Sequence, residues 1–81
     1  MPYYLYILKS ESRKASYVGH TDDLTKRLGE HNCGKSLSTR GKGPWRLAYH
    51  EKFDTRSEAA LRERYYKSIH GRLELKAKGI L

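Results

Sequence analysis

Arg27 and His31 stand four residues apart, downstream of Tyr17-Val18-Gly19-His20, and much later Glu63 sits amid Arg62, Arg64 and Lys67. On a helix, residues at that spacing lie one above the other, so Arg27 and His31 would project from a single face. A guanidinium that never loses its charge, an imidazole that titrates near neutrality and the phenols of Tyr6 and Tyr17 form a set suited to gripping an anion and moving a proton. Glu63 supplies the opposite charge. It shares a helix face with Ala59, Tyr66 and His70, and small and aromatic residues of that kind pack inward. An unpaired buried carboxylate costs several kcal/mol (order of magnitude) or neutralises itself, so Glu63 needs a divalent metal or a cation such as Arg27. A solvent-exposed glutamate among its basic neighbours is the alternative reading.

The elements that must position these groups follow from hydropathy patterning. Tyr3 to Leu8 is a run of aromatic and aliphatic residues, and after the polar stretch Lys9 to Lys14 comes Ala15-Ser16-Tyr17-Val18-Gly19. Two strands in an antiparallel hairpin are the simplest interpretation. Alternation places Tyr4, Tyr6 and Leu8 on one face and Tyr3, Leu5 and Ile7 on the other, so the first strand belongs in the centre of its sheet, covered on both sides. Thr21, followed by Asp22 and Asp23, reads as the start of a helix reaching about Cys33, with Leu24 and Leu28 buried and Gly34 beyond its end. Lys35 to Pro44 is a basic loop rich in Gly and Ser, with donors enough to follow a phosphate backbone.

Trp45 to Phe53 alternates again, with Trp45, Leu47 and Tyr49 pointing one way, and reads as a third strand. Thr55 or Ser57 caps a second helix running to about His70 and stopped by Gly71; its buried stripes are Leu61, Tyr65 and Ile69, with Ala59 and Tyr66 beside them. Arg72 to Leu81 either forms a short terminal helix or frays. The expected fold is one α+β domain over residues 1–81, with a three-stranded, mainly antiparallel sheet flanked by helices in the order β-β-α-β-α.

Eighty-one residues allow a single modest core. Seventeen Lys and Arg against nine Asp and Glu give a net charge of +8 and a pI near 9.8, a field that favours polyanions, of which nucleic acid is the commonest. Cys33 is the only cysteine, so no internal disulfide forms and a reducing, cytoplasmic setting is the expectation. The apolar N-terminal run is too short to span a bilayer, and a membrane association is not expected. His50 and His70 receive no role, and Cys33 lacks the surroundings of a nucleophile.

Tyr4-Leu5-Tyr6, Tyr17-Val18-Gly19, Arg27 eight residues after that glycine, His31, and Glu63 within Arg62-Glu63-Arg64-Tyr65-Tyr66-Lys67 occur in order along the chain. Together they resemble the GIY-YIG nuclease family, in particular its small stand-alone bacterial branch described as endonucleases. His31-Asn32, Ser38-Thr39, Pro44-Trp45 and Thr55-Arg56-Ser57-Glu58-Ala59 extend the likeness over essentially the whole chain. The first tripeptide keeps the tyrosine and departs from the family's glycine and isoleucine, and His20 occupies a variable polar position.

The resemblance implies metal-dependent hydrolysis of phosphodiester bonds in DNA, with RNA as a weaker possibility, in repair or recombination. It implies one divalent cation, Mg²⁺ or Mn²⁺, ligated by Glu63. Tyr6 or Tyr17 would position and deprotonate the attacking water, with Tyr6 preferred; Arg27 would clamp the phosphate. His31 would donate to the phosphate, share a proton with a tyrosine, or orient one. His20, Lys26, Lys35, Ser38, Thr39, Arg40 and Lys42 are the expected nucleic-acid contacts. The chain would act as a monomer or weak dimer, with selectivity for DNA structure rather than sequence, or with a partner protein choosing the target. A nucleic-acid binding module that keeps the fold without turnover is the competing reading.

Overall fold

A computed structural model describes residues 1–81, in which three strands and three helices follow one another as β1 (Tyr3–Ser10), β2 (Ser16–Thr21), α1 (Leu24–Asn32), β3 (Trp45–Phe53), α2 (Arg56–Lys67) and α3 (Ile69–Ala77). The sheet order is β2-β1-β3 and both pairings are antiparallel. β1 is therefore central, as its two apolar faces demand, and Leu5, Tyr6, Ile7 and Leu8 are all buried. Leu5 and Ile7 pack with Val18, Tyr66 and Leu75 beneath α2 and α3; Tyr6 and Leu8 pack with Trp45, Tyr17, Leu24 and Leu28 beneath α1.

β3 departs from simple alternation. Ile7 pairs with Tyr49 but Leu8 pairs with Leu47, so Ala48 is an extra residue in a bulge. One inserted residue moves every later side chain to the opposite face. Trp45 and Leu47 consequently join the α1 side, whereas Tyr49 and Phe53 join the α2/α3 side, correcting the expectation that Tyr49 follows Trp45 and Leu47.

Helix ends also differ from the pattern-based reading. Asp23, not Thr21, caps α1: its carboxylate accepts from the Lys26 backbone N–H at 3.0 Å, and Thr21 Oγ1 accepts from Asp23 N–H at 3.1 Å. Thr55 caps α2 in a reciprocal capping box with Glu58. α2 stops at Ser68, which also caps α3 through its hydroxyl, and Gly71 lies inside α3 rather than ending α2. A Cβ at Gly71 would collide with the Tyr65 carbonyl and the Tyr66 Cα; the glycine is there so that α3 can lie against the last turn of α2. The terminal segment is thus helical and buries Leu75.

Ala59 and Tyr66 form the buried stripe of α2, while Leu61 and Ile69 are exposed. Tyr66 decides the rotation of the helix. Its ring is fully buried and its hydroxyl donates to Glu51, a carboxylate that also accepts from Tyr49 and Arg62, so the polar end of the largest side chain on α2 is satisfied only in this orientation.

Candidate active site

Gly19 on β2 faces Tyr6 on β1 across the hairpin. A Cβ at Gly19 would stand 2.6 Å from Tyr6 Oη, 2.8 Å from Tyr6 Cζ and 2.9 Å from Tyr17 Cε2. The missing side chain is what allows both phenol rings to lie over the edge strand. His31, directed inward from α1, completes an aromatic cluster, with ring centroids 4.7 Å from Tyr17 and 5.9 Å from Tyr6.

The polar atoms of this cluster form a chain. Tyr6 Oη lies 2.9 Å from His31 Nε2, and His31 Nδ1 lies 2.7 Å from Thr39 Oγ1. Thr39 has an acceptor for its own hydrogen in the Ser36 carbonyl at 3.5 Å, and Arg27 counteracts part of the rise that burial causes in the Tyr6 pKa. The assignment that satisfies all of them has the Tyr6 O–H donating to Nε2 and the Nδ1–H donating to Thr39. Burial, and then the positive charge of Arg27, depress the His31 pKa and keep the imidazole neutral at pH 7. Tyr6 is pushed up to about 12, chiefly by burial; Arg27 pulls the other way, and Tyr17 and Glu63 add to the rise. Arg27 itself is held by Glu30 at 3.0 Å, which with Tyr6 and Tyr17 raises its pKa against the effect of burial.

Glu63 approaches from the other face of the sheet. Val18 and His20 alternate with Tyr17 and Gly19 on β2, so His20 points toward α2, where its Nδ1 is 2.7 Å from Glu63 Oε1. Lys67, one turn along α2, donates to Glu63 Oε2 at 2.7 Å. Burial would raise the Glu63 pKa, but Lys67 and His20 together outweigh it and the carboxyl stays ionised below its usual range. Of the two partners considered for Glu63, a divalent metal or Arg27, Arg27 is not the one: His20 and Lys67 hold the carboxylate. His20, expected as a nucleic-acid contact, is bonded through Nδ1 to the carboxylate.

The two halves adjoin through β2, where Gly19 leaves room for Tyr6 on one face and the next residue, His20, holds Glu63 on the other. No three His, Cys, Asp or Glu side chains cluster as a ready-made cation cage. Glu63 is a single ionised carboxylate with its side chain about one-fifth exposed. That donor fits a hard dication that keeps water and substrate oxygens in most of its shell.

Of the other expected contacts, Lys26, Lys35, Ser38, Arg40 and Lys42 are exposed around the end of α1 and the following loop, with Arg40 Nε donating to the Gly34 carbonyl at 2.9 Å. Thr39 is a correction. It is 1% exposed, its hydroxyl is engaged by His31 and its carbonyl accepts from Trp45 Nε1 at 3.1 Å, so it cannot reach a bound strand. Sequence reasoning missed both this role and that of Lys67. A signal existed for each: a buried histidine requires partners on both ring nitrogens, and Lys67 follows Glu63 at the favourable i,i+4 spacing. His50, His70 and Cys33 are exposed.

The GIY-YIG catalytic domain model matches residues 2–76. The chain is similar to a UPF0213 protein of Clostridium perfringens, 44% identical over 82% of this chain and 71% of that one. It is also similar to a UPF0213 protein of the archaeon Haloquadratum walsbyi, 43% identical over 82% of this chain and 74% of the other. Among solved structures, the solution structure of the UPF0213 protein BH0048 from Bacillus halodurans superposes with a TM-score of 0.56 at 34% identity, covering 95% of this chain and 84% of its own. With the family model matching nearly the whole length and relatives more than 40% identical over most of the chain, the chain belongs to the GIY-YIG family of nuclease domains.

Proposed function

We propose that this chain hydrolyses phosphodiester bonds in DNA, choosing its target by DNA structure, with repair or recombination as its setting. One observation supports the reading: the buried Tyr6 hydroxyl lies 2.9 Å from His31 Nε2, with Thr39 on the opposite ring nitrogen and Tyr17 packed against the same imidazole. A surface that only bound nucleic acid would need cations, not a buried phenol–imidazole pair.

In the hydrolysis, Arg27 binds the non-bridging oxygens of the scissile phosphate and meets the charge that grows there in the transition state. The attacking water gives its proton to Tyr6 Oη as the Tyr6 proton passes to His31 Nε2; the new O–P bond forms as the bond to the leaving oxygen breaks. Tyr17, packed against His31, walls the cluster on the β2 side. Glu63 would hold a Mg²⁺ or Mn²⁺ ion, whose chemistry when bound is to neutralise charge on the phosphate and the leaving oxygen. The exposed basic residues after α1 steer the backbone toward Arg27.

The second reading, a binding module without turnover, draws support from Glu63, both of whose oxygens are already engaged by His20 and Lys67. Incubation of branched, single-stranded and plasmid DNA with Mg²⁺ or Mn²⁺ separates the two. The nuclease reading expects cleavage that Arg27→Ala and Glu63→Ala each lower by at least about 100-fold, with salt-sensitive binding surviving Glu63→Ala. Tight binding with no cleavage of any substrate gives the case to the module; undiminished cleavage by Glu63→Ala refutes the site.

A further inference from the structure

Beyond the C-terminal end of β1, the turn after it and one face of α3 form a cleft of about 830 Å³ lined by Lys9, Arg13, Lys14, Arg46, Arg72 and Lys76, with Glu11 as the one acidic side chain. None of these six cations is ion-paired. The chain's ion pairs all lie elsewhere and use Arg27, Arg62, Lys67, Lys78 and His20. Lys9 and Arg46 are moreover direct partners across β1 and β3, a like-charge pairing that destabilises a sheet unless an anion lies against it. Arg72 and Lys76 add charge from one face of α3 at i,i+4 spacing, where they repel each other for the same reason. Ser16 brings a hydroxyl to the rim.

We infer that this cleft binds the phosphodiester backbone of a second arm of the DNA substrate. The inference rests on the reading that the chain acts on DNA. Two placements distinguish the arm from the strand held at Arg27. Lys9 follows Tyr6 by three residues of extended chain, about 10 Å, and Lys9, Arg46 and α3 lie on the α2/α3 face of the sheet, whereas Tyr6, Tyr17 and Arg27 lie on the α1 face. A straight duplex seated at Arg27 runs along one face. A branched molecule, whose arms diverge at the junction, reaches both. The cleft thus supplies a physical source of structure selectivity within this short chain.

The test is binding, measured by fluorescence anisotropy without divalent cation, of a three-way DNA junction and of a linear duplex with the same arm sequence across a salt series. Arg13, Lys14, Arg72 and Lys76 are exposed, so an R13A/K14A/R72A/K76A variant removes charge without touching the core; a two-residue R72A/K76A variant and circular dichroism melts guard against misfolding. Each lost phosphate contact lowers the salt slope of log K by about 0.9. The expected result is a slope for the junction reduced by about 2 to 4, with affinity down at least about tenfold at low salt, and a linear-duplex affinity changed by less than about threefold. An unchanged junction slope overturns the cleft as a phosphate site, and equal losses on both DNAs overturn its assignment to a second arm. Cleavage plays no part in these readouts. A protein that never cleaves but loses junction binding in the variant refutes the nuclease reading and leaves the cleft standing; one that cleaves with unchanged binding in the variant does the reverse.

Discussion

Gly19→Ala should abolish cleavage while leaving the chain folded. The backbone at Gly19 is not in the left-handed region, so alanine meets no conformational barrier there; only space is at issue. The added methyl would sit 2.6 Å from Tyr6 Oη, 0.8 Å short of the 3.4 Å at which a carbon contact becomes ordinary. Tyr6 is 2% exposed, with Leu8 and Trp45 packed beside it, and its hydroxyl is fixed 2.9 Å from His31 Nε2. A displacement of nearly 1 Å either stretches that hydrogen bond beyond use or pushes β2 away from β1. Overpacking of this kind costs about 1–3 kcal/mol of stability, and a reactive group misplaced by 1 Å costs about 100-fold in rate. Chemical denaturation and cleavage of a branched DNA measure the two effects. Tyr6→Phe/Gly19→Ala should recover part of the lost stability, because the closest clash is removed, and none of the activity. Wild-type cleavage by Gly19→Ala would refute the claim that the Tyr6 hydroxyl is positioned by the open backbone beneath it.

Thr39→Val removes the acceptor of His31 Nδ1 and leaves a buried N–H unpaired, at a cost of about 1–3 kcal/mol; cleavage should fall with it and return in Thr39→Ser, and nitrogen chemical shifts of His31 should report a loosened tautomer preference. Stability should decline in two pH windows. His31 and Glu63 both have depressed pKa values in the folded chain, so the unfolded chain takes up the extra protons, and stability present above pH ~6.5 is lost as acid is added, first through His31 and then through the carboxylate. Tyr6 has a raised value of about 12, so its contribution is intact below pH ~10 and is lost between about pH 10 and 12. Denaturant midpoints against pH test both windows, and His31→Asn should flatten the upper part of the acid limb.

Much of this fold was legible because burial writes a period into the sequence. Tyr3 to Leu8 carries apolar bulk on both faces, and such a strand has no stable place except the middle of the sheet, which is where β1 lies. Thr55 and Glu58 at capping-box spacing marked the start of α2 in the same way. The bulge at Ala48 left no trace, since a period-2 count over Trp45 to Phe53 reads straight through one additional residue. Gly71 misled for a different reason: as a local signal glycine ends a helix, but here it answers a tertiary contact with Tyr65 and Tyr66. At the site, Tyr6, Tyr17, Arg27 and His31 carried their own motif, and Glu63 declared a need for a partner without naming it. His20 lies 43 positions earlier in the chain and becomes that partner only because the second face of β2 meets α2. Thr39 was hidden inside a loop whose composition suggested exposure, and only the burial of His31 and Trp45 draws it inward.

In the proposed hydrolysis, the burial that orders Tyr6 also constrains how it would act. With its pKa near 12, about one molecule in 10⁵ carries a phenolate at pH 7, too few for a base that waits in its ionised form. A phenol that receives one proton while releasing another avoids that scarcity, and the release needs an acceptor that is neutral, close and unable to turn away. His31 meets each requirement through a separate feature: burial and Arg27 keep it uncharged, Nε2 stands 2.9 Å from the hydroxyl, and Thr39 pins the opposite nitrogen. A Tyr6 isolated from His31 would therefore be a well-placed aromatic and a very weak base, and in the proposed reaction Thr39 serves as a positioning residue that touches no substrate.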